Sequence, residues 1–112
     1  MNQISWSDFE KVDIRTGTII RAELFPQAKK PAYKLTIDFG KQLGIKKSSA
    51  QITAYYDRAS LFQKQVIAVV NFPPRQIADF MSECLVLGIY DETNNVILLK
   101  PERPVVNGQK VG

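Results

Sequence analysis

The stretch Q-V-I-A-V-V-N-F-P-P-R-Q-I-A-D-F-M-S-E-C-L-V-L-G, residues 65–88, decides the fold. It holds two apolar runs, 66–70 and 84–87. Each is short, bounded and aliphatic, so each reads as a strand. A segment that only joined two strands would favour Gly, Asn or Asp. Here Pro73 and Pro74 fix two φ angles and remove two backbone donors. Arg75 follows with a permanent charge on a planar fork. Phe72, Phe80 and Met81 are large and apolar, and Ser82 and Glu83 are polar. Such a loop suits holding a shape against a partner. It suits equally a long connection tucked onto the core by Phe72 and Phe80.

Composition narrows the chemistry. The chain has 112 residues, enough for one domain with one core and no staples. One cysteine excludes an internal disulfide framework. With no histidine, the commonest general base, the usual zinc ligand and every Ser-His or Cys-His pair are missing. The carboxylates show no ligand spacing, and neither Asp91-Glu92 nor Glu10 with Asp13 is placed for acid–base work. No catalytic residue, metal or cofactor is expected. The net charge of +4 comes from residues 1–60, with ten basic and six acidic side chains, while 61–112 hold five of each. That excess permits an anionic partner such as RNA, or simply solubility. The first residues carry charges and no apolar core, and no run approaches the ~20 residues of a spanning helix. A cytoplasmic protein with no membrane insertion is expected.

Outward from the opening stretch, Ser7-Asp8-Phe9-Glu10 fits a capping box before a short turn over 8–12. Trp6 and Phe9 must pin that turn to something, because so short a helix is marginal alone. Residues 13–24 read as a long strand. Ile14, Thr16, Thr18, Ile20 and Ala22 fall on one face, and Arg15, Gly17, Ile19, Arg21 and Glu23 on the other. Gly17 permits a bend or bulge. Residues 25–33 form a loop carrying Lys29, Lys30 and Tyr33. Residues 34–39 alternate as a second strand and 45–53 form a third. Tyr55, Ala59 and Phe62 have near-helical spacing, predicting one or two turns within 54–64. Strands over 65–71, 82–90 and 96–100 follow, with a turn at 91–95 and a tail at 101–112 holding an Asn107-Gly108 turn.

Five strands with a helix between the third and fourth is the plan of an all-β, five-stranded OB-fold barrel, here with additions at both ends. Such barrels bind on strands two and three and with the loops between strands one and two and four and five. Those loops are 25–33 and 72–81, and both set basic residues beside aromatic ones. That coincidence favours the binding reading of the opening stretch.

Three stretches and the tail resemble a known family. D-F-E-K-V-D-I-R-T-G-T-I at 8–19 looks like the opening motif of the tRNA-binding domain family. That family includes the C-terminal appendix of some methionyl-tRNA synthetases and the EMAP-like domains. I-K-K-S-S-A-Q-I-T at 45–53, V-I-A-V-V-N-F-P-P-R-Q-I-A-D-F-M-S-E at 66–83 and P-x-x-P-V-x-N-G-x-K-V-G at 101–112 are similar to its CsaA-type branch of secretion chaperones. The wider family has Lys-Met-Arg-Gly where this chain has Arg75-Gln76-Ile77-Ala78, so a basic residue of its RNA surface is missing. The resemblance implies a non-catalytic homodimer built from chain-end additions. It implies binding of unfolded or export-bound polypeptides for secretion, with the export translocase as a further partner.

Two ligand classes stay open. A polypeptide would meet Phe72, Pro73, Pro74, Phe80, Met81 and Tyr33. A tRNA or other structured RNA would meet Arg75, Lys29, Lys30, Lys34, Lys46, Lys47 and Ser82. The dimer is expected at Trp6, Phe9, Pro104, Val105 and Val106. Cys84 reads as a small buried hydrophobe.

Overall fold

Apolar residues at every second position draw the chain into a sheet that curls on itself. In the computed structural model, which describes residues 1–112, the first half runs α1 (Trp6–Glu10), β1 (Ile14–Leu24), β2 (Tyr33–Asp38), β3 (Ile45–Ala50) and α2 (Arg58–Leu61). The second half runs β4 (Gln65–Val69), β5 (Arg75–Ile77), β6 (Phe80–Ser82), β7 (Leu85–Val86), β8 (Gly88–Tyr90) and β9 (Val96–Leu98). The main sheet is antiparallel in the order β3-β2-β1-β4-β7, and it forms the nearly closed five-stranded OB barrel. No helix is long and apolar enough to cross a membrane.

Strand β1 serves both halves of the barrel. It pairs with β4 from Ile14 to Thr18 and with β2 from Thr18 to Leu24. The bend comes at a register shift between Ile19 and Arg21, not at Gly17. The shift leaves Ile20 as an extra residue, so Ile20 and Arg21 both face outward. Ile19 therefore points into the core with Gly17, while Ala22 also packs inward. Gly17 has a different task from bending. A side chain there would sit 2.7 Å from both Ile37 and Phe39.

The alternation of Leu35, Ile37 and Phe39 is borne out, for all three are buried with Ile19, Leu61, Val66 and Ala68. Full burial of one such side chain contributes about 1.5–3 kcal/mol. Helix α2 is capped by Asp57, whose side chain accepts from the Ser60 N–H. It delivers Leu61 to the core, while Tyr55, Ala59 and Phe62 stay exposed. The gap between β3 and residues 82–84 is closed largely by side chains. Glu83 N–H donates to the Lys47 carbonyl at 2.7 Å, and Lys47 N–H donates back to Glu83 Oε1 at 2.9 Å. Ser49 N–H donates to Ser82 Oγ, and buried Ser48 Oγ donates to the Cys84 carbonyl at 2.9 Å.

The chain ends differ from the sequence reading. The N-cap of α1 is Ser5, paired with Asp8 in the capping box, not Ser7 with Glu10. Starting there sets Trp6 and Phe9 three residues apart on one face, with ring centroids 6.0 Å apart. Asn71 ties the exit of α1 to β4. Its Nδ2 donates to the Lys11 carbonyl and its Oδ1 accepts from Asp13 N–H. The tail docks on its own β1, in the place β2 leaves free. Thr16 N–H donates to the Gln109 carbonyl, Gly108 N–H to Thr16, and Val111 N–H to Ile14. Arg15 pairs with Asp13 at 2.7 Å and donates to the Gly108 carbonyl, a structural use of both residues.

Residues 72–81, read as a loop, contain a ribbon. Strand β5 pairs with β6 from Arg75↔Ser82 to Ile77↔Phe80. Its turn holds Ala78 at φ 54, a conformation that costs an L residue roughly 1–2 kcal/mol. Ala78→Gly is expected to raise stability by about 0.5–1 kcal/mol after the glycine's extra unfolded freedom is subtracted. The urea midpoint measures it, and a lower midpoint would mean the turn needs its Cβ.

Candidate ligand-binding groove

Strand register assembles the site. Arg21 lies opposite Thr36, and Thr36 opposite Lys47, forming one rung across three strands. Glu23, Lys34 and Ser49 form the next rung on the same outer face. The ribbon covers one end. Phe80 meets buried Phe25 edge to face, with centroids 5.4 Å apart. The Lys34 ammonium lies 5.5 Å from the Phe25 ring and 5.8 Å from the Phe80 ring, within cation–π range. Ile20, Arg21, Glu23, Lys34, Thr36, Lys47 and Phe80 together line a hollow of about 460 Å³. Arg21 Nε pairs with Glu23 at 3.0 Å, whereas Lys34 and Lys47 have no carboxylate partner.

Of the expected ligand residues, Lys34, Lys47 and Phe80 meet in this groove. Arg75 is exposed, forms no ion pair, and lies on the ribbon face that carries Phe80. Met81 alternates to the other face of the ribbon, so it does not share a wall with Phe80. Phe72, Pro73 and Pro74 are exposed on the approach to the ribbon, and Lys29 and Lys30 are exposed in the 25–33 loop. Lys46 is the register partner of core residue Ile37, so it faces away from Lys47. Ser82 is engaged in barrel closure. Tyr33 belongs to the core rather than the surface. It is 6% exposed, and its hydroxyl donates to the Tyr56 carbonyl at 2.7 Å. Arg21, Glu23, Thr36 and Ile20 were not anticipated. Only the bulge and the strand register place them beside Lys34.

Cys84 is buried, and burial pushes its thiol up to about 11. It is therefore expected to resist thiol reagents at neutral pH until the chain unfolds. Rapid labelling of the native protein would contradict this.

At the chain ends, Trp6 is 74% exposed and Phe9 half-buried. With Ile4 and Gly112 they border an apolar hollow, so the two termini do meet. Pro104, Val105 and Val106 are exposed. Val105 is nonetheless anchored, since its N–H donates to Gln65 Oε1 and its carbonyl accepts from Gln65 Nε2.

A nearly closed five-stranded barrel with a basic groove beside an aromatic ribbon defines a binding domain of the OB class. The chain belongs to the tRNA-binding domain family, whose model, described as "Putative tRNA binding domain", matches residues 14–110. The crystal structure of chaperone CsaA from Bacillus anthracis superposes with a TM-score of 0.93 at 47% identity, covering 99% of this chain and 100% of that one. CsaA from Picrophilus torridus gives 0.92 at 50% identity, covering 98% and 100%. The methionine–tRNA ligase of Methanocaldococcus jannaschii is 34% identical over 111 residues, 99% of this chain but 17% of the ligase. The likeness to CsaA chains thus runs along the whole length, while the ligase matches in a small part of itself.

Proposed function

We propose that the chain is a non-catalytic, homodimeric chaperone of the CsaA type that binds unfolded or export-bound polypeptides. One observation carries the reading. The groove sets aliphatic Ile20 and aromatic Phe80 among Lys34, Lys47 and Arg21, a mixed lining suited to an extended chain with varied side chains. The whole-length likeness to CsaA structures supports it. The apolar hollow between Trp6, Phe9 and Gly112 supports a two-fold contact at the chain ends. Sedimentation at twice the chain mass tests the dimer. A cytoplasmic location and contact with the export translocase belong to the same reading.

A second reading, a tRNA or structured-RNA module, is favoured by the Lys34 ammonium lying against the Phe25 and Phe80 rings. Charge beside rings is how single strands are held. Salt and substitution separate the two. RNA held through phosphates is shed steeply as salt rises, so absorbance at 260 nm should fall on washing. Arg75→Ala should leave the fold intact and weaken ligand binding by about 1–3 kcal/mol, because the charge makes no internal contact. Phe80→Ala should abolish peptide binding first if polypeptide is the ligand, and RNA binding first if RNA is. If neither substitution changes either affinity, the groove is not the site.

A further inference from the structure

We infer that the groove selects extended polypeptide segments that place acidic residues beside an aromatic or aliphatic one, and that Glu23 sets the strength of that selection. The inference rests on the polypeptide reading above. Its basis is how the groove's charges are spent. Arg21 and Glu23 neutralise each other at 3.0 Å. Lys34 is the register partner of Glu23, yet it forms no ion pair with it and lies instead against the Phe25 and Phe80 rings. Lys47 is exposed and unpaired. Two ammonium groups are therefore uncompensated, on neighbouring rungs of neighbouring strands.

Adjacent strands lie about 4.8 Å apart, and successive same-face residues of an extended chain lie about 6.7 Å apart. Carboxylates on alternate residues of a bound segment can thus reach Lys34 and Lys47 in turn. An apolar side chain of the same segment then falls against half-buried Phe80 and exposed Ile20. A nucleic-acid strand fits this pattern less well. It carries a charge at every nucleotide and cannot skip the carboxylate of Glu23 on the groove floor, whereas a peptide chooses its charge residue by residue. Basic segments are disfavoured by the same two ammonium groups.

The test uses the full chain and three short fluorescent peptides read by anisotropy at physiological salt. All carry Ser at every second position; on the other face a Phe follows two positions that are Asp and Glu, or Ser and Asn, or Lys. The acidic peptide is expected to bind roughly tenfold tighter than the lysine peptide, with the neutral one between. Lys34→Ala and Lys47→Ala should each bring the acidic peptide toward the neutral one. Glu23→Gln should raise the preference for the acidic over the neutral peptide about threefold by tightening the acidic one, a gain that misfolding cannot imitate. If all three peptides bind alike, or Glu23→Gln changes nothing, the selection is wrong while polypeptide binding stands. If no peptide binds and an unstructured oligonucleotide does, the polypeptide reading fails and the selection with it.

Discussion

Gly17→Val is expected to destabilise the barrel by about 3 kcal/mol and lower its melting temperature by roughly 10–20 °C. Gly17 lies where β1 crosses the core side of β2. A Cβ would stand 2.7 Å from Ile37 Cγ2, 2.7 Å from Phe39 Cδ1 and 2.8 Å from Phe39 Cε1. Neither neighbour can yield, since Ile37 is 0% and Phe39 1% exposed and both are packed on all sides. The substitution therefore forces off-rotamer side chains or separates the strands. Gly17→Ala carries the same first atom and should show a smaller loss of the same sign. Thermal unfolding by circular dichroism decides the matter. A melting point within a degree or two of the parent would show that the core has slack.

Gly108→Ala should free the tail while leaving the barrel folded. Gly108 has φ +88, a left-handed conformation costing other residues about 1–2 kcal/mol. Its missing side chain also faces the Phe39 carbonyl oxygen, which a Cβ would approach to 2.5 Å. Gly40, at φ +90, makes the reciprocal approach to the Asn107 carbonyl oxygen at 2.8 Å. Two glycines thus let two turns press backbone to backbone, and backbone cannot step aside as a flexible side chain would. The seat holds further bonds, from Arg15 to the Gly108 carbonyl and from Thr18 Oγ1 to Asn107 Oδ1 at 2.7 Å. Losing the turn should release them together. Amide exchange at Gln109 and Val111 should accelerate strongly, while Leu35 and Val66 keep their protection. Unchanged exchange in the tail would refute the tight seat.

Much of the barrel was legible because its rules are local. Leu35, Ile37 and Phe39 alternate without interruption, so period two alone places them inside. Strand β1 was legible only in part. Once Ile20 is skipped its alternation is regular, but which residue to skip depends on partners β4 and β2, not on β1 itself. The ribbon was missed because its turn, Ala78-Asp79, lacks the Asn-Gly or Asp-Gly pair that announces a hairpin. The site followed the same division. Lys34 and Phe80 stood out as charge and ring in candidate binding elements. Arg21, Thr36 and Glu23 carry no such mark, since their neighbourhood is set by cross-strand register. Tyr33 was misplaced because a tyrosine at a loop's end reads equally as surface or core, and here a hydroxyl contact with Tyr56 settles it.

The tail's position has one more consequence. From Ile14 to Gly17, β1 has a strand partner on the β4 side alone, and residues 108–111 cover the other side. Stripped of that cover, Ile14 and Thr16 would present bare carbonyl and amide groups along a flat, β-prone segment. Such an open edge is a template for any other extended chain, including another copy of itself. Truncation before residue 102 should therefore not yield a tidy smaller species. It should yield a sticky one, whose light scattering grows with time and concentration.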